Sequence, residues 1–139
     1  MVSTAASGAE QVSGRLGFLA ERPELELVVL FGSHAEGRAR TESDVDLAVV
    51  ADDGCMLEQL RLDIIQVLGT DRIDLIDLRR APPLLQMAVA KRGTVIHARD
   101  PAAFARFASL AVRRYNDTRK LRVERARGLA EFLAERGLT

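Results

Sequence analysis

The chain has 139 residues, of which 47% are hydrophobic and 29% charged, and its 20 Lys and Arg residues balance 20 Asp and Glu residues. This length suits one domain, and the composition excludes a disordered chain. No apolar run approaches the ~20 residues that cross a bilayer, and a single cysteine excludes an internal disulfide or a multi-thiolate zinc site. We therefore expect a soluble cytoplasmic protein with one domain over residues 1–139.

Charge is distributed unevenly along the chain. Residues 1–100 carry 11 basic and 16 acidic side chains, whereas residues 101–139 carry 9 basic and 4 acidic ones. The basic end suits an acidic protein surface or RNA, and equally a solvated helix face. Because the chain has one tyrosine and no tryptophan, few rings are available to stack on bases. We expect a protein partner rather than direct nucleic-acid binding.

Apolar periodicity and the Gly and Pro positions predict an α/β (α+β) fold, a small mixed sheet with flanking helices. The predicted elements, in chain order, are a helix over 9–22, a strand over 25–31, a short helix and loop over 33–43, a strand over 44–51, a helix over 56–68, a strand over 72–78, a helix from Pro82 to Arg92, a short strand over 94–97 and a long helix over 101–136. Gly128 is expected to kink or divide the long helix. One apolar stripe is expected along it, formed by Phe104, Phe107, Ala111, Tyr115, Leu129, Phe132 and Leu133. The core of the domain is expected over about 25–98, and the helical C-terminal segment over about 101–137.

The connections predict how the first three strands pair. The short loop between the first two strands favours antiparallel neighbours, whereas a helical crossover makes the second and third strands parallel. The end of the first strand, at Gly32 and Ser33, then lies beside the start of the second strand, and the start of the third joins them. This topology brings Asp74 near Asp44 and Asp46, at one edge of the sheet.

These three aspartates have the chemistry of a magnesium site. Alternate residues of a strand point to the same face, so Asp44 and Asp46 lean together while Val45, Leu47 and Val49 face the core. Mg²⁺ prefers oxygen ligands and commonly binds through one or two carboxylates and substrate phosphates. Two such ions stabilise the attacking and leaving oxygens of a phosphoryl displacement, and Asp74 supplies a third ligand or accepts the proton of the attacking hydroxyl.

The turn at Gly32 and Ser33 is suited to phosphate. Glycine lets the backbone approach an anion closely, and the Ser33 hydroxyl is able to donate to a phosphate oxygen. Neither Gly-Ser nor Asp-x-Asp is specific alone. Their combination at this spacing, between two strands and with a strand-borne Asp downstream, is a strong signal for a metal-dependent transfer to or from a nucleotide.

The run from Gly32 to Leu47 (GSHAEGRARTESDVDL) resembles the core motif of the DNA polymerase beta-type nucleotidyltransferases. The small size of the chain and the segment 72–78 are similar to the minimal nucleotidyltransferase antitoxins of that superfamily. The resemblance implies a polymerase beta-type fold and an adenylyltransferase using Mg-ATP, with two Mg²⁺ ions held by Asp44, Asp46 and Asp74 and the triphosphate held by Gly32 and Ser33. It also implies a partner, a HEPN-domain ribonuclease toxin that receives AMP on a tyrosine hydroxyl.

One departure from the family pattern leaves alternatives open. Many relatives carry Arg at the position of Glu36, close to the phosphates, so Arg38 or Arg40 must bind the triphosphate here, or activity is weaker. A non-catalytic antitoxin that inhibits its toxin by contact is therefore one alternative. The other is a small-molecule nucleotidyltransferase of the aminoglycoside type, although little chain remains to build its acceptor pocket.

Overall fold

The structure is a computed structural model that describes residues 8–32, 35 and 44–137. The described elements are α1 (Gly8–Arg15), a 3₁₀ helix (Gly17–Glu21), β1 (Leu25–Phe31), β2 (Val45–Ala51), α2 (Leu57–Leu68), β3 (Ile73–Asp77), α3 (Pro83–Arg92), β4 (Thr94–Ala98) and α4 (Ala103–Glu135). The short helix predicted within 33–43 lies outside the described residues.

The described strands form one mixed sheet in the order β3-β2-β1-β4. β1 pairs antiparallel with β2, and β2 pairs in parallel with β3 across the α2 crossover, which confirms both predicted pairings. β4 adds antiparallel to the other side of β1. The end of β1 and the starts of β2 and β3 therefore meet at one end of the sheet, the end that the sequence assigned to the functional residues.

Both faces of the sheet are covered. Val45, Leu47 and Val49 face the core as predicted, in a cluster that includes residues of α1 and α2. The alternating residues Ala48 and Val50 are also buried, in a second cluster with residues of α3 and α4. A strand covered on both sides reads as an almost continuous apolar run, which is why the aspartates at its start stand out.

The predicted helix over 9–22 was wrong in one respect, because the structure divides it. α1 ends at Arg15, Leu16 leaves the helical backbone conformation, and a 3₁₀ helix follows from Gly17. Leu16 and Leu19 are nevertheless both buried. Gly14 and Gly17 flank the break, and each glycine weakens a helix by about 1 kcal/mol relative to Ala. A continuous helix is therefore weak at this point, and the chain breaks it while both leucines stay buried.

α4 is one continuous helix of 33 residues, so the kink or division expected at Gly128 is wrong. The expected apolar stripe is wrong in its second half. Phe107 and Ala111 are buried, but Leu129 and Phe132 are 58% and 48% exposed. The helix extends beyond the elements that cover its first turns. Its later apolar residues are therefore exposed.

Ion pairs of two arginines connect the start of β1 with the start of α4. The largely buried Glu26 lies 3.3 Å from Arg99 and 3.6 Å from Arg106, nitrogen to oxygen. Arg99 also pairs with Asp52, and Arg106 with Asp100. The Arg106 guanidinium, helped by the backbone N–H of Ala102, lowers the pKa of Asp100 below its usual value. This network fixes where α4 leaves the sheet.

Candidate active site at the sheet end

Gly32 ends β1 in a conformation that favours glycine for two separate reasons. Its φ is +73°, a left-handed conformation that side chains make costly. A Cβ added at this position would also lie 2.4 Å from Oδ2 of Asp46, far inside van der Waals contact. The Asp46 carboxylate therefore occupies the space that a side chain at position 32 would fill.

The three predicted carboxylates share one face and one end of the sheet. Asp46 is the register partner of Phe31 in β1 and of Asp74 in β3. Asp44 immediately precedes β2 and, two residues from Asp46, belongs to the same face. Asp46 is half-buried, whereas Asp44 and Asp74 are exposed. The predicted proximity of the three backbone positions is confirmed.

A cleft of about 380 Å³ opens beside these carboxylates. Its lining includes Asp44 and Asp74, together with Ile73 at the start of β3, an edge strand of the described sheet, and the two residues before it, Asp71 and Arg72. Sequence reasoning assigned no role at the site to Asp71 or Arg72, although Arg72 is the first residue of the predicted strand over 72–78. The available signal was their position at the start of that strand, which was already assigned to the site.

The donor set fits a hard cation such as Mg²⁺ in kind, since three carboxylates supply oxygen ligands at adjacent positions beside a cradle that a Cβ would fill. The side chains as they stand are less converged. Over residues 8–32, 35 and 44–137, no group of three or more His, Cys, Asp or Glu side chains lies close enough to hold a metal ion. The register therefore brings the backbone positions together, whereas the carboxylate groups are not gathered around one point.

The remaining predicted phosphate-binding residues, Ser33 and Arg38, lie outside the described residues, as do Glu36 and Arg40. Their predicted roles stay predictions. The surroundings of two other side chains, His97 and Cys55, favour a structural role. His97 shares a hydrogen bond with the Leu25 carbonyl over 3.3 Å, and burial raises the pKa of the Cys55 thiol, which disfavours the reactive thiolate.

No helix in the described part of the chain is both long enough and apolar enough to cross a membrane.

The fold and the site geometry agree with a family match. Residues 17–102 match the polymerase beta nucleotidyltransferase family, and the chain belongs to that family. The matched segment contains the whole sheet and all of the described site residues.

Particular relatives narrow the comparison. The chain is 36% identical to the protein adenylyltransferase MntA of Shewanella oneidensis over 74 residues, about half of each chain (51% and 52%). It is 26% identical to the protein adenylyltransferase MntA of Aphanizomenon flos-aquae, over 88% of this chain and 90% of that one. Among solved structures, it resembles a chain of a toxin–antitoxin complex with AMP-PNP at a TM-score of 0.70 and 27% identity, covering 87% of this chain and 98% of that chain.

Proposed function

We propose that this chain is an antitoxin that uses Mg-ATP to transfer AMP to a tyrosine hydroxyl of a cognate HEPN-domain toxin. The observation that carries the proposal is the position of Asp46, whose carboxylate lies against Gly32 and whose register partner on β3 is Asp74. This arrangement occurs in a member of the nucleotidyltransferase family. Two relatives are protein adenylyltransferases, and a structural neighbour is a toxin–antitoxin complex with AMP-PNP. ATP is the donor that these likenesses support.

In this proposal, Asp44, Asp46 and Asp74 hold Mg²⁺, and Gly32, Ser33 and Arg38 bind the triphosphate. Bound Mg²⁺ supplies positive charge to the phosphate oxygens and to the leaving group. Gly32 keeps the backbone close to both the Asp46 carboxylate and the nucleotide, since it has no side chain to separate them. The site thus positions its groups rather than forming a covalent bond with the substrate.

The reaction is a single displacement at the α-phosphorus of ATP. The tyrosine oxygen forms a bond to that phosphorus, the bond to the bridging α–β oxygen breaks, and pyrophosphate leaves with the bonding electrons. The phenolic proton passes to a carboxylate oxygen of Asp74, which lines the cleft where an acceptor enters. The products are AMP-tyrosine and pyrophosphate.

The position of the cleft favours a protein acceptor over a small molecule. Asp74 lies on β3, one of the two edge strands of the described sheet, so no further described strand borders the cleft on the side away from β2. A small acceptor would need walls on that side, whereas a protein acceptor brings its own surface. The exposed state of Asp44 and Asp74 agrees with a site that a second protein completes.

The test incubates the cognate toxin with this chain, ATP and Mg²⁺, and measures the mass of the toxin. We expect a gain of one or more AMP masses on tyrosine, lost with Asp74→Asn and with Asp44→Asn/Asp46→Asn. The matched control is Asp77→Asn, because Asp77 is on the same strand but on the opposite face. Its variant should transfer AMP at nearly the wild-type rate.

Two results would contradict this function. If the toxin gains no mass but stays bound and inhibited, the chain is a non-catalytic antitoxin, and the carboxylates that do not converge in the structure would be the reason. If Asp74→Asn and Asp77→Asn lose activity equally, the assigned face of β3 is wrong.

A further inference from the structure

The exposed half of α4 carries an interaction surface that is separate from the active site. Residues at alternating intervals of four and three lie on one continuous face of this helix, which we call the seam. Those residues are Phe107, Ala111, Arg114, Thr118, Leu121, Arg125, Gly128, Phe132 and Glu135. Phe107 and Ala111 are buried in the core, whereas Leu121 and Phe132 are 46% and 48% exposed. The same seam therefore continues about 33 Å from Arg114 to the helix end, past the elements that cover its start.

A groove adjoins this seam. It lies between the start of α3 and the middle of α4, has a volume of about 200 Å³, and includes Pro83, Leu84, Leu121, Arg122 and Arg125 in its lining. The lining is mainly apolar, with basic and no acidic residues. Leu84 is 59% exposed, so this α3–α4 groove presents apolar surface to solvent.

Two contacts fix the Arg122 side chain in the α3–α4 groove. Its guanidinium carbon lies 3.8 Å from the centre of the Tyr115 ring, and it donates a hydrogen bond to Thr118 Oγ1. A fixed guanidinium loses little side-chain entropy when an acidic group arrives. The groove therefore fits a segment that combines apolar side chains with carboxylates.

α4 itself contains such a segment. Residues 119–127 hold five Lys and Arg side chains and one Glu, whereas residues 129–136 hold two Glu and one basic side chain, Arg136, whose guanidinium lies 3.6 Å from the centre of the Phe132 ring. The second stretch also contributes the exposed Leu129 and Phe132. Gly128 lies on the boundary, and a Cβ placed there would meet no other atom within 4 Å, so the backbone is open to a close neighbour.

We propose that two copies of this chain dimerise through α4, antiparallel and centred on Gly128, with the end of each helix seated at the α3–α4 groove of the other. Antiparallel pairing brings the basic stretch of one copy against the acidic stretch of the other, whereas parallel pairing would oppose like charges. Residues equally distant from Gly128 then face each other. Arg125 meets Glu131 of the second copy, and Phe132 of the second copy reaches the level between Leu121 and Arg125.

A second copy fits this surface better than the toxin does. The α3–α4 groove follows the carboxyl end of β3, whereas Asp74 lies at the start of that strand. An occupant of the groove is therefore held at the opposite end of the strand from the reacting groups. A dimer formed there leaves the active site free for an acceptor, and an isologous interface needs no surface beyond those already present on the chain.

The first test is the mass of the full chain in solution, by light scattering and sedimentation over a range of concentrations. We expect a mass of twice 15.2 kDa. Arg125→Glu should raise the dimer dissociation constant by roughly tenfold or more, because the new carboxylate would face Glu131 of the second copy at both symmetric contacts. The double variant Arg125→Glu/Glu131→Arg should restore the dimer, and Arg127→Glu, an equal charge change away from the seam, should leave it intact.

The second test crosslinks the symmetry axis. In a Cys55→Ser background, which removes the native thiol, Gly128→Cys should form a disulfide between copies under mild oxidation, because a disulfide requires α-carbons within about 7 Å. Arg127→Cys, one residue away but off the seam, should crosslink much more slowly. Circular dichroism of each variant checks that the helix is retained.

Three results would overturn the proposal. The first is a monomer at every concentration. The second is a dimer that tolerates Arg125→Glu, or that crosslinks equally at 127 and 128. The third is a monomeric chain whose binding to the toxin is lost with Phe132→Asp, since the toxin would then be the occupant of the groove.

Discussion

Replacing Gly32 with Ala tests whether the glycine serves the carboxylate or only the turn. Alanine at φ +73° carries about 1–2 kcal/mol of backbone strain, so we expect the free energy of unfolding to fall by that amount. The new Cβ would also lie 2.4 Å from Asp46 Oδ2, whereas ordinary contacts begin at 3.4 Å. The carboxylate must therefore move by about 1 Å, a displacement that in an active site costs roughly 100-fold in rate, or about 2.7 kcal/mol.

Gly69 provides the matched control for this variant. It has the same φ of +73°, at the end of α2, but a Cβ added there meets nothing within 4 Å. Gly69→Ala should lose similar stability and keep its activity. Urea unfolding gives the stability of each variant, and the initial rate of AMP transfer to the toxin gives the activity. If Gly32→Ala transfers AMP as fast as Gly69→Ala, the reasoning from the Asp46 contact is refuted.

Three further predictions concern stability and its dependence on pH. Gly93→Ala places a Cβ 2.3 Å from Val29 Cγ1 and should lower the free energy of unfolding by about 1–3 kcal/mol in urea, without the loss of activity of a site variant. Phe107→Ala empties a buried site between α4 and the sheet and should cost about 3–5 kcal/mol, and a much smaller loss would show that α4 is not packed there. Because Arg106 lowers the pKa of Asp100, this carboxylate stabilises the fold above the usual Asp range, and its contribution disappears as the pH falls through the lowered pKa. Asp100→Asn should therefore be less stable than wild type at neutral pH, with the difference vanishing in acid-unfolding curves.

The sequence predicted most of the sheet because local signals and topology agreed there. The short connection after Gly32 predicted the antiparallel pair, and the helical crossover before Ile73 predicted the parallel one. The site followed from the same argument, since Asp74 lies opposite Asp46 only when β3 is parallel to β2 in this register. Ser33 and Arg38 stay predictions.

Other features were beyond the reach of sequence patterns, for identifiable reasons. Val12, Leu16 and Leu19 keep a helical spacing across the break at Leu16, so periodicity alone predicts one helix. The apolar positions near the end of α4 look the same whether a neighbour covers them or not, and only the structure shows that Phe132 is exposed. Asp71 becomes a cleft residue only once the strands have been assembled.

The two aspartates of β3 should have opposite effects on stability, which ties the chemistry of the site to the fold. Asp74 lies in register with Asp46 on the neighbouring strand, and two like charges so placed repel each other and destabilise the pair. Asp77 instead accepts a hydrogen bond from the Arg79 N–H at 3.1 Å and lies 3.6 Å from Arg80. In low salt without Mg²⁺, Asp74→Asn should therefore raise the free energy of unfolding, whereas Asp77→Asn should lower it.

The cation dependence of this difference decides its cause. Mg²⁺ bound between the carboxylates replaces repulsion with attraction, so adding Mg²⁺ should stabilise wild type and Asp77→Asn but have a much smaller effect on Asp74→Asn. Salt without a divalent ion should only weaken the repulsion. Thermal unfolding of the three proteins, with Mg²⁺ and with an ionic-strength-matched monovalent salt, measures both effects. Equal responses of the two variants to Mg²⁺ would mean that Asp74 does not hold the ion, and the catalytic face of β3 would then have to be assigned again from the acceptor side of the cleft.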